Sequence, residues 1–221
     1  KKDVVALLPT GGGKSLCYQL PAVVMEGTCL VISPLIALME DQVNQLLKRG
    51  IKAAYINSSL HFKDIDRILD NVIYGNIKIL YLSPERLKTT LFIDRFKKMN
   101  ISFVAVDEAH CISEWGNDFR PEYRNISSLR TLNKDLSFIA LTATATPEVV
   151  EDIEEQLSFK ESNKIKKSFI RNNINYSVIN AIDKEKVLVK LLTNESSIIY
   201  VRNRKKTKEL SKLLNSKNYK N

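Results

Sequence analysis

Gly11-Gly12-Gly13-Lys14-Ser15 stands directly after a short apolar run and before a stretch of helical pattern. These residue types suit a polyphosphate. Glycines let consecutive backbone N–H groups turn inward around phosphate oxygens, and the amino end of the next helix adds a favourable dipole. In this reading Thr10, Gly11, Gly12 and Gly13 form the cradle. Lys14 reaches the β- and γ-phosphates of ATP, and the Ser15 hydroxyl binds Mg2+. The strict pattern asks for glycine where Leu8 stands, so only the second half of the motif is matched. A flexible turn is the alternative reading of a triple glycine, and Lys-Ser directly behind it argues against that.

The second chemical feature is a buried-looking strand, Phe103-Val104-Ala105-Val106, that runs into Asp107-Glu108-Ala109-His110. Two adjacent carboxylates at a strand end are what hydrolysis of a magnesium nucleotide requires. Asp107 would hold the magnesium through its water shell, and Glu108 would polarise the attacking water. A charged strand end facing solvent is the alternative. Together with Lys14, the pair points to ATP hydrolysis with Lys14, Asp107 and Glu108 as the catalytic set.

These groups need a frame. Asp3 to Leu8, Thr28 to Ile32, Ala53 to Ile56, Ile79 to Leu82, Phe103 to Val106 and Phe138 to Leu141 read as buried strands, being short, β-branched and bounded by polar or turn residues. Between them Ile36, Met39, Val43 and Leu46 make one helical stripe; Ile65, Ile68, Leu69 and Val72 make another. At Thr146 a helix has a capping residue, Pro147 in its first turn, and Glu148 and Glu151 near its positive end. Such alternation predicts an α/β fold with a mostly parallel sheet covered on both faces, whose ligands bind beyond the carboxyl ends of the strands. Ser158 to Lys167 reads as a polar connection. A second α/β unit then opens with a strand at Tyr176 to Ile179, a helix at Lys184 to Leu192, a strand at Ser197 to Val201 and a helix near Lys205 to Leu214.

Composition excludes several classes. No apolar run approaches the roughly 20 residues of a membrane span, and the amino end lacks the features of a signal peptide. The expected compartment is the cytoplasm, at the nucleoid if the cell is bacterial. Cys17, Cys29 and Cys111 with His61 and His110 are too scattered for a disulfide framework or a zinc site. The net charge is +9, but residues 160–221 hold 16 Lys and Arg against 5 Asp and Glu, so the basic excess lies wholly there. A polyanionic partner and a solvated helix face both account for it.

At these motifs the chain resembles superfamily 2 helicases and, within them, the RecQ family. Leu8 to Ala22 is similar to the family's first motif. Ser33-Pro34 and the residues through Met39, with Asp41 to Val43, resemble motif Ia, which in relatives touches the DNA backbone. Tyr81 to Leu87 resembles motif Ib. Leu141 to Pro147, with Thr142 and Thr144, resembles motif III, which links ATP state to domain movement. Ser168 to Arg171, Asn173 and Tyr176 fit the family's passage to its second motor domain, and Ile198 to Arg204 resembles motif IV.

The most specific match follows the carboxylates, Cys111 to Tyr123, where the family carries an aromatic-rich loop that senses single-stranded DNA. Trp115 and Phe119 offer flat faces for unpaired bases and Arg120 a cation. Trp115, Phe119 and Tyr123 also fall at i, i+4 and i+8, the spacing of a core stripe; Gly116, Asn117 and Pro121 disfavour a helix there. Asn117 departs from the histidine usual in the family.

The resemblance implies a RecA-like parallel sheet over residues 1–167, without the family's adenine-reading segment, and the start of a second RecA-like domain over 168–221. It also implies an ATP-dependent 3′-to-5′ DNA helicase using Mg2+, acting on single-stranded DNA and duplex junctions in repair and recombination. The 221 residues alone would lack an arginine finger and would not unwind DNA. Two other readings stay open: a non-catalytic nucleic-acid-binding module, and a DEAH-type RNA helicase, since Asp107 to His110 spell that box.

Overall fold

The computed structural model describes residues 2–116, 118–168, 173–193, 195–217 and 219. Contacts divide the chain into two compact units, Lys1–Ile170 and Arg171–Asn221.

The first unit is a seven-stranded sheet in the order β3-β4-β2-β5-β6-β1-β7, formed by β1 (Val4–Leu7), β2 (Thr28–Ile32), β3 (Ala53–Ile56), β4 (Ile79–Leu82), β5 (Ile101–Val106), β6 (Phe138–Thr142) and β7 (Lys164–Lys166). Every pairing is parallel. Side chains of period two sort the strands onto two cores. In β2, Leu30 and Ile32 face one layer while Cys29 and Val31 face the other. Helices α1 (Lys14–Val24) and α2 (Ile36–Lys48) cover the second face; α3 (Phe62–Tyr74), α4 (Thr90–Phe96), α5 (Leu129–Leu132) and α6 (Pro147–Gln156) cover the first. The expected stripes are the buried ones: Met39, Val43 and Leu46 on α2, and Ile65, Leu69 and Val72 on α3. Thr146 caps α6, its hydroxyl accepting from Val149 N at 3.4 Å. The α/β sheet with two helical layers is thus the one that the alternation predicts.

Register lines up the carboxyl ends. Leu7 pairs with Thr142, Val106 with Ile32, and Ile32 with Leu82. Four adjacent strands, β2, β5, β6 and β1, therefore deliver Ser33, Asp107, Thr142 and the glycine loop to one edge.

The opposite edge is tied by a buried ion pair. Arg130 Nη2 lies 2.8 Å from Asp3 Oδ2, and Asp3 Oδ1 accepts from Phe138 N at 2.8 Å. Arg130 also donates to the Leu157 and Leu136 carbonyls at 2.9 and 3.0 Å, with its guanidinium 4.3 Å from the Phe138 ring centroid. Breaking one side of such a pair leaves a buried charge uncompensated. Arg130→Ala is expected to lower unfolding free energy by about 3–5 kcal/mol in urea titrations, with nucleotide affinity unaffected because the pair sits at the far end of the strands.

Two expectations need correction. Residues 164–166, read as connection, form β7: all three are exposed, so no apolar alternation betrays a strand that exists only because β1 offers it a free edge. Conversely, Tyr176 to Ile179 and Ser197 to Val201 belong to no ladder among the described residues, and Val178 is 95% exposed. A strand is stable only with a neighbour to receive its N–H and C=O groups. In the second unit, α7 (Lys184–Leu191) and α8 (Arg204–Ser216) do form, the latter burying Leu210 and Leu214. No helix among the described residues is long and apolar enough to cross a membrane.

Candidate functional site

The glycine loop leaves β1 and turns sharply before α1. Gly11 and Gly13 hold φ of +74° and +84°, and Gly12 N donates to Pro9 O at 2.8 Å. A Cβ on Gly12 would stand 2.8 Å from that same carbonyl, so the bend admits no side chain there. The turn is an open cradle: Thr10 and Gly11 are exposed, and Lys14 and Ser15 lie half-buried in the first turn of α1.

Lys14 Nζ reaches 3.8 Å from Glu108 Oε1. The lysine comes from the end of β1 and the glutamate from the end of β5, two strands separated by β6. Glu108 itself is in the left-handed region at φ 46°, ψ 47°, which a residue with a side chain adopts at a cost of about 1–2 kcal/mol. The step is held on both sides: Tyr123 Oη donates to Asp107 O at 3.0 Å, Glu108 N to Asp107 Oδ1 at 3.1 Å, and Cys111 N to Glu108 O at 2.9 Å.

His110 completes the arrangement. Its Nδ1 is 3.3 Å from Glu108 Oε2 and 2.9 Å from Thr142 Oγ1, while Thr144 N donates to the same Thr142 hydroxyl at 3.1 Å. Thr142 is fully buried and Thr144 exposed. His110 thus links the carboxylate to the end of β6. The residue pattern alone assigned it no role, although the Asp-Glu-Ala-His spelling was the available signal. Tyr123 was also missed, because a buried tyrosine looks like packing until its hydroxyl is seen to hold the Asp107 carbonyl.

Asp107 is 8% exposed, and its carboxyl is pushed up to about 6, chiefly by burial and then by the neighbouring Glu108 charge. The Glu108 amide, Lys14 and Ser33 oppose the rise. Ser33 Oγ is buried without a well-aligned hydrogen bond, so its influence on Asp107 is one of proximity. A carboxylic acid held above its ordinary value binds its proton more tightly folded than unfolded. The folded state therefore loses stability as pH rises from about 4 to about 6, by roughly 3 kcal/mol at most for this shift, and the loss persists at neutral pH. Asp107→Asn is expected to be more stable than the parent in ligand-free urea titrations at pH 7.5, with the difference shrinking at pH 5. Equal stability at both pH values would contradict the assignment.

The aromatic loop is not a helical stripe. Trp115 is 80% exposed, Phe119 half-buried beneath the Arg124 guanidinium at 5.1 Å, and Tyr123 fully buried. Arg120 is braced by Asp118 at 3.0 Å and donates to Pro34 O at 3.3 Å. The loop is thereby fastened to the Ser33-Pro34 segment after β2. A Cβ on Gly116 would meet the His110 carbonyl at 2.5 Å, so the loop closes tightly onto the turn that carries His110. Asn117 and the residues 169–171 lie outside the described residues. Arg204 begins α8 in the second unit and is exposed.

Comparison with known proteins places this geometry. The family model described as DEAD/DEAH box helicase matches residues 1–153. The chain is 45% identical over 209 residues to the ATP-dependent DNA helicase RecQ of Bacillus subtilis, covering 93% of this chain and 35% of that protein. It is 42% identical to the protein of the same name from Pasteurella multocida, covering 98% of this chain and 35% of that one. The chain thus spans about a third of the length of these curated relatives. Among solved structures, the DUF1998 helicase MrfA aligns with a TM-score of 0.68 at 18% identity, over 98% of this chain and 36% of that one, a likeness of fold. With its glycine loop, its paired carboxylates and the family model that spans most of its length, the chain belongs to the DEAD/DEAH box helicase family, and within that family it is similar to the RecQ helicases.

Proposed function

We propose that the whole protein is an ATP-dependent DNA helicase of RecQ type, in which residues 1–167 form the first motor domain and 168–221 begin the second. The observation that carries this reading is the meeting of Lys14 and Glu108 at 3.8 Å beside the buried Asp107. Two separate strand ends, those of β1 and β5, converge there beside the glycine loop.

The residues fit magnesium ATP. Gly11 to Gly13 would receive the phosphates and Lys14 the β- and γ-phosphate charge. Ser15 and Asp107 would hold Mg2+, whose charge would favour the ionised form of the buried Asp107 carboxyl against the desolvation that raises it. When bound, magnesium supplies positive charge to the phosphate oxygens. Glu108 Oε1 and Oε2 orient the attacking water and accept its proton, with His110 fixing the carboxylate against Thr142. Little covalent work falls to the protein; position and charge carry the reaction.

Single-stranded DNA would run over Pro34, Trp115, Phe119 and Arg120, with the buried Ser33 setting the backbone that presents Pro34, Thr142 and Thr144 passing the nucleotide state to the second domain and Arg204 contributing a cation there. Exposure of Trp115 supports stacking, and the Arg120 bond to Pro34 O supports a joint surface. Translocation is 3′-to-5′, with duplex junctions as substrates in repair and recombination, at the nucleoid if the cell is bacterial.

The test is ATP hydrolysis by the full-length protein with single-stranded DNA, with RNA of the same sequence, and without either, beside Trp115→Ala. Stacking of a base on an aromatic ring is worth about 1–3 kcal/mol, so the variant should need about 5- to 150-fold more DNA for half-maximal stimulation. Unchanged stimulation in the variant would demote Trp115. Preference for RNA would make the protein an RNA helicase. No response to either would leave a nucleic-acid-binding module.

A further inference from the structure

Beneath the phosphate loop lies a polar cluster that the chemistry above does not use. Tyr18 and Gln19 on α1, Gln42 on α2 and Tyr81 on β4 meet within an otherwise apolar layer. The Tyr18 and Tyr81 hydroxyls are 3.2 Å apart. Gln19 Nε2 donates to Tyr81 Oη at 3.2 Å and to Gln42 Oε1 at 2.8 Å. Both tyrosines are 1% exposed and Gln19 is 7% exposed, while Gln42 is half-buried.

Apolar side chains would fill this layer without the cost of desolvating an amide and two hydroxyls. A buried polar network instead holds only in arrangements that satisfy every member, so it transmits displacement that a greasy contact would absorb. The elements it joins matter. Helix α1 opens on Lys14 and Ser15, α2 follows Ser33-Pro34, and β4 ends beside Ser83-Pro84. The Tyr18 hydroxyl is also electrostatically close to the nucleotide side. Its ionisation is pushed far up by burial, then by Tyr81 and Asp107, with Ser15 opposing.

We propose that Tyr18, Gln19, Tyr81 and Gln42 are positioning residues that couple the phosphate loop to the Ser33-Pro34 and Ser83-Pro84 segments. A displacement of α1 on nucleotide binding is carried through Gln19 to α2 and β4. By thermodynamic reciprocity, DNA on the surface that includes Pro34 tightens nucleotide. This rests on the functional reading above, since it needs both ligands.

The experiment measures the Kd of a fluorescent non-hydrolysable ATP analogue for the full-length protein, with and without oligothymidylate, in the parent and in Gln42→Leu, Tyr81→Phe and Gln42→Glu. Coupling ratios in allosteric proteins are about 5- to 150-fold. The parent is expected within that range, Gln42→Leu and Tyr81→Phe near one, and Gln42→Glu restored, because its carboxylate still accepts from Gln19. Merely structural damage would weaken both Kd values together and leave the ratio intact. A parental ratio in both Gln42→Leu and Tyr81→Phe would overturn the coupling role and leave the helicase reading standing. A ratio of one in the parent would overturn the functional reading and this inference together.

Discussion

Lys14→Ala in the full-length protein is expected to lower ATP turnover by about 10²–10³-fold, the usual effect of removing one preorganised charge from a reacting oxygen. The lysine side chain is only 15% exposed and faces Glu108 at 3.8 Å. Alanine there leaves Glu108 and Asp107 as adjacent carboxylates without their nearest cation, in a site meant to receive further negative charge. Nucleotide affinity should fall with turnover, since the β- and γ-phosphates lose the same partner. Lys14→Arg is not expected to restore activity, because a planar fork replaces a compact point charge. Steady-state hydrolysis and titration with a fluorescent ATP analogue measure the two effects. Parental turnover in the alanine variant would remove Lys14 from the site and the phosphate-loop reading with it.

Glu108→Gln is expected to separate binding from chemistry. The amide has the shape of the acid and can still meet Lys14 and His110, so the left-handed step at this position should be undisturbed. It cannot accept a proton from water. Loss of a general base costs about 10²–10⁴-fold in rate, and nucleotide affinity should stay near the parental value. Single-turnover hydrolysis beside equilibrium binding distinguishes this from Lys14→Ala, where both fall. Glu108 is also the second cause of the raised Asp107 carboxyl. Removing its charge should lower that carboxyl, so the neutral-pH instability assigned to Asp107 should shrink in Glu108→Gln. Duplex unwinding at the parental rate would refute the assignment of Glu108.

Much of this protein was written locally in the chain. Six of the seven strands announce themselves as short β-branched runs because strands buried on both faces need apolar side chains throughout. The glycine loop and the carboxylate pair are legible for a related reason. Each is a contiguous segment whose residue types have few other uses together, and strand ends in a parallel sheet point to one edge. Thr146 with Pro147 marked the start of α6 by local capping chemistry alone.

What spacing could not decide was decided by neighbours distant in the chain. Trp115, Phe119 and Tyr123 share one helical spacing, yet the first is exposed and the last fully buried, because Trp115 and Phe119 lie on irregular chain while Tyr123 lies on a 3-10 helix that begins at Pro121. Strand β7 carries no apolar signal and exists because β1 presents an open edge; Tyr176 to Ile179 carries the signal and finds no partner among the described residues. His110 acquires its place from Thr142, and Gln19 from Gln42 and Tyr81, across 32, 23 and 62 residues of chain. Residue type and spacing set which groups could do chemistry and which segments could be strands. The order of strands in the sheet, which sequence patterns do not encode, set which of those groups meet.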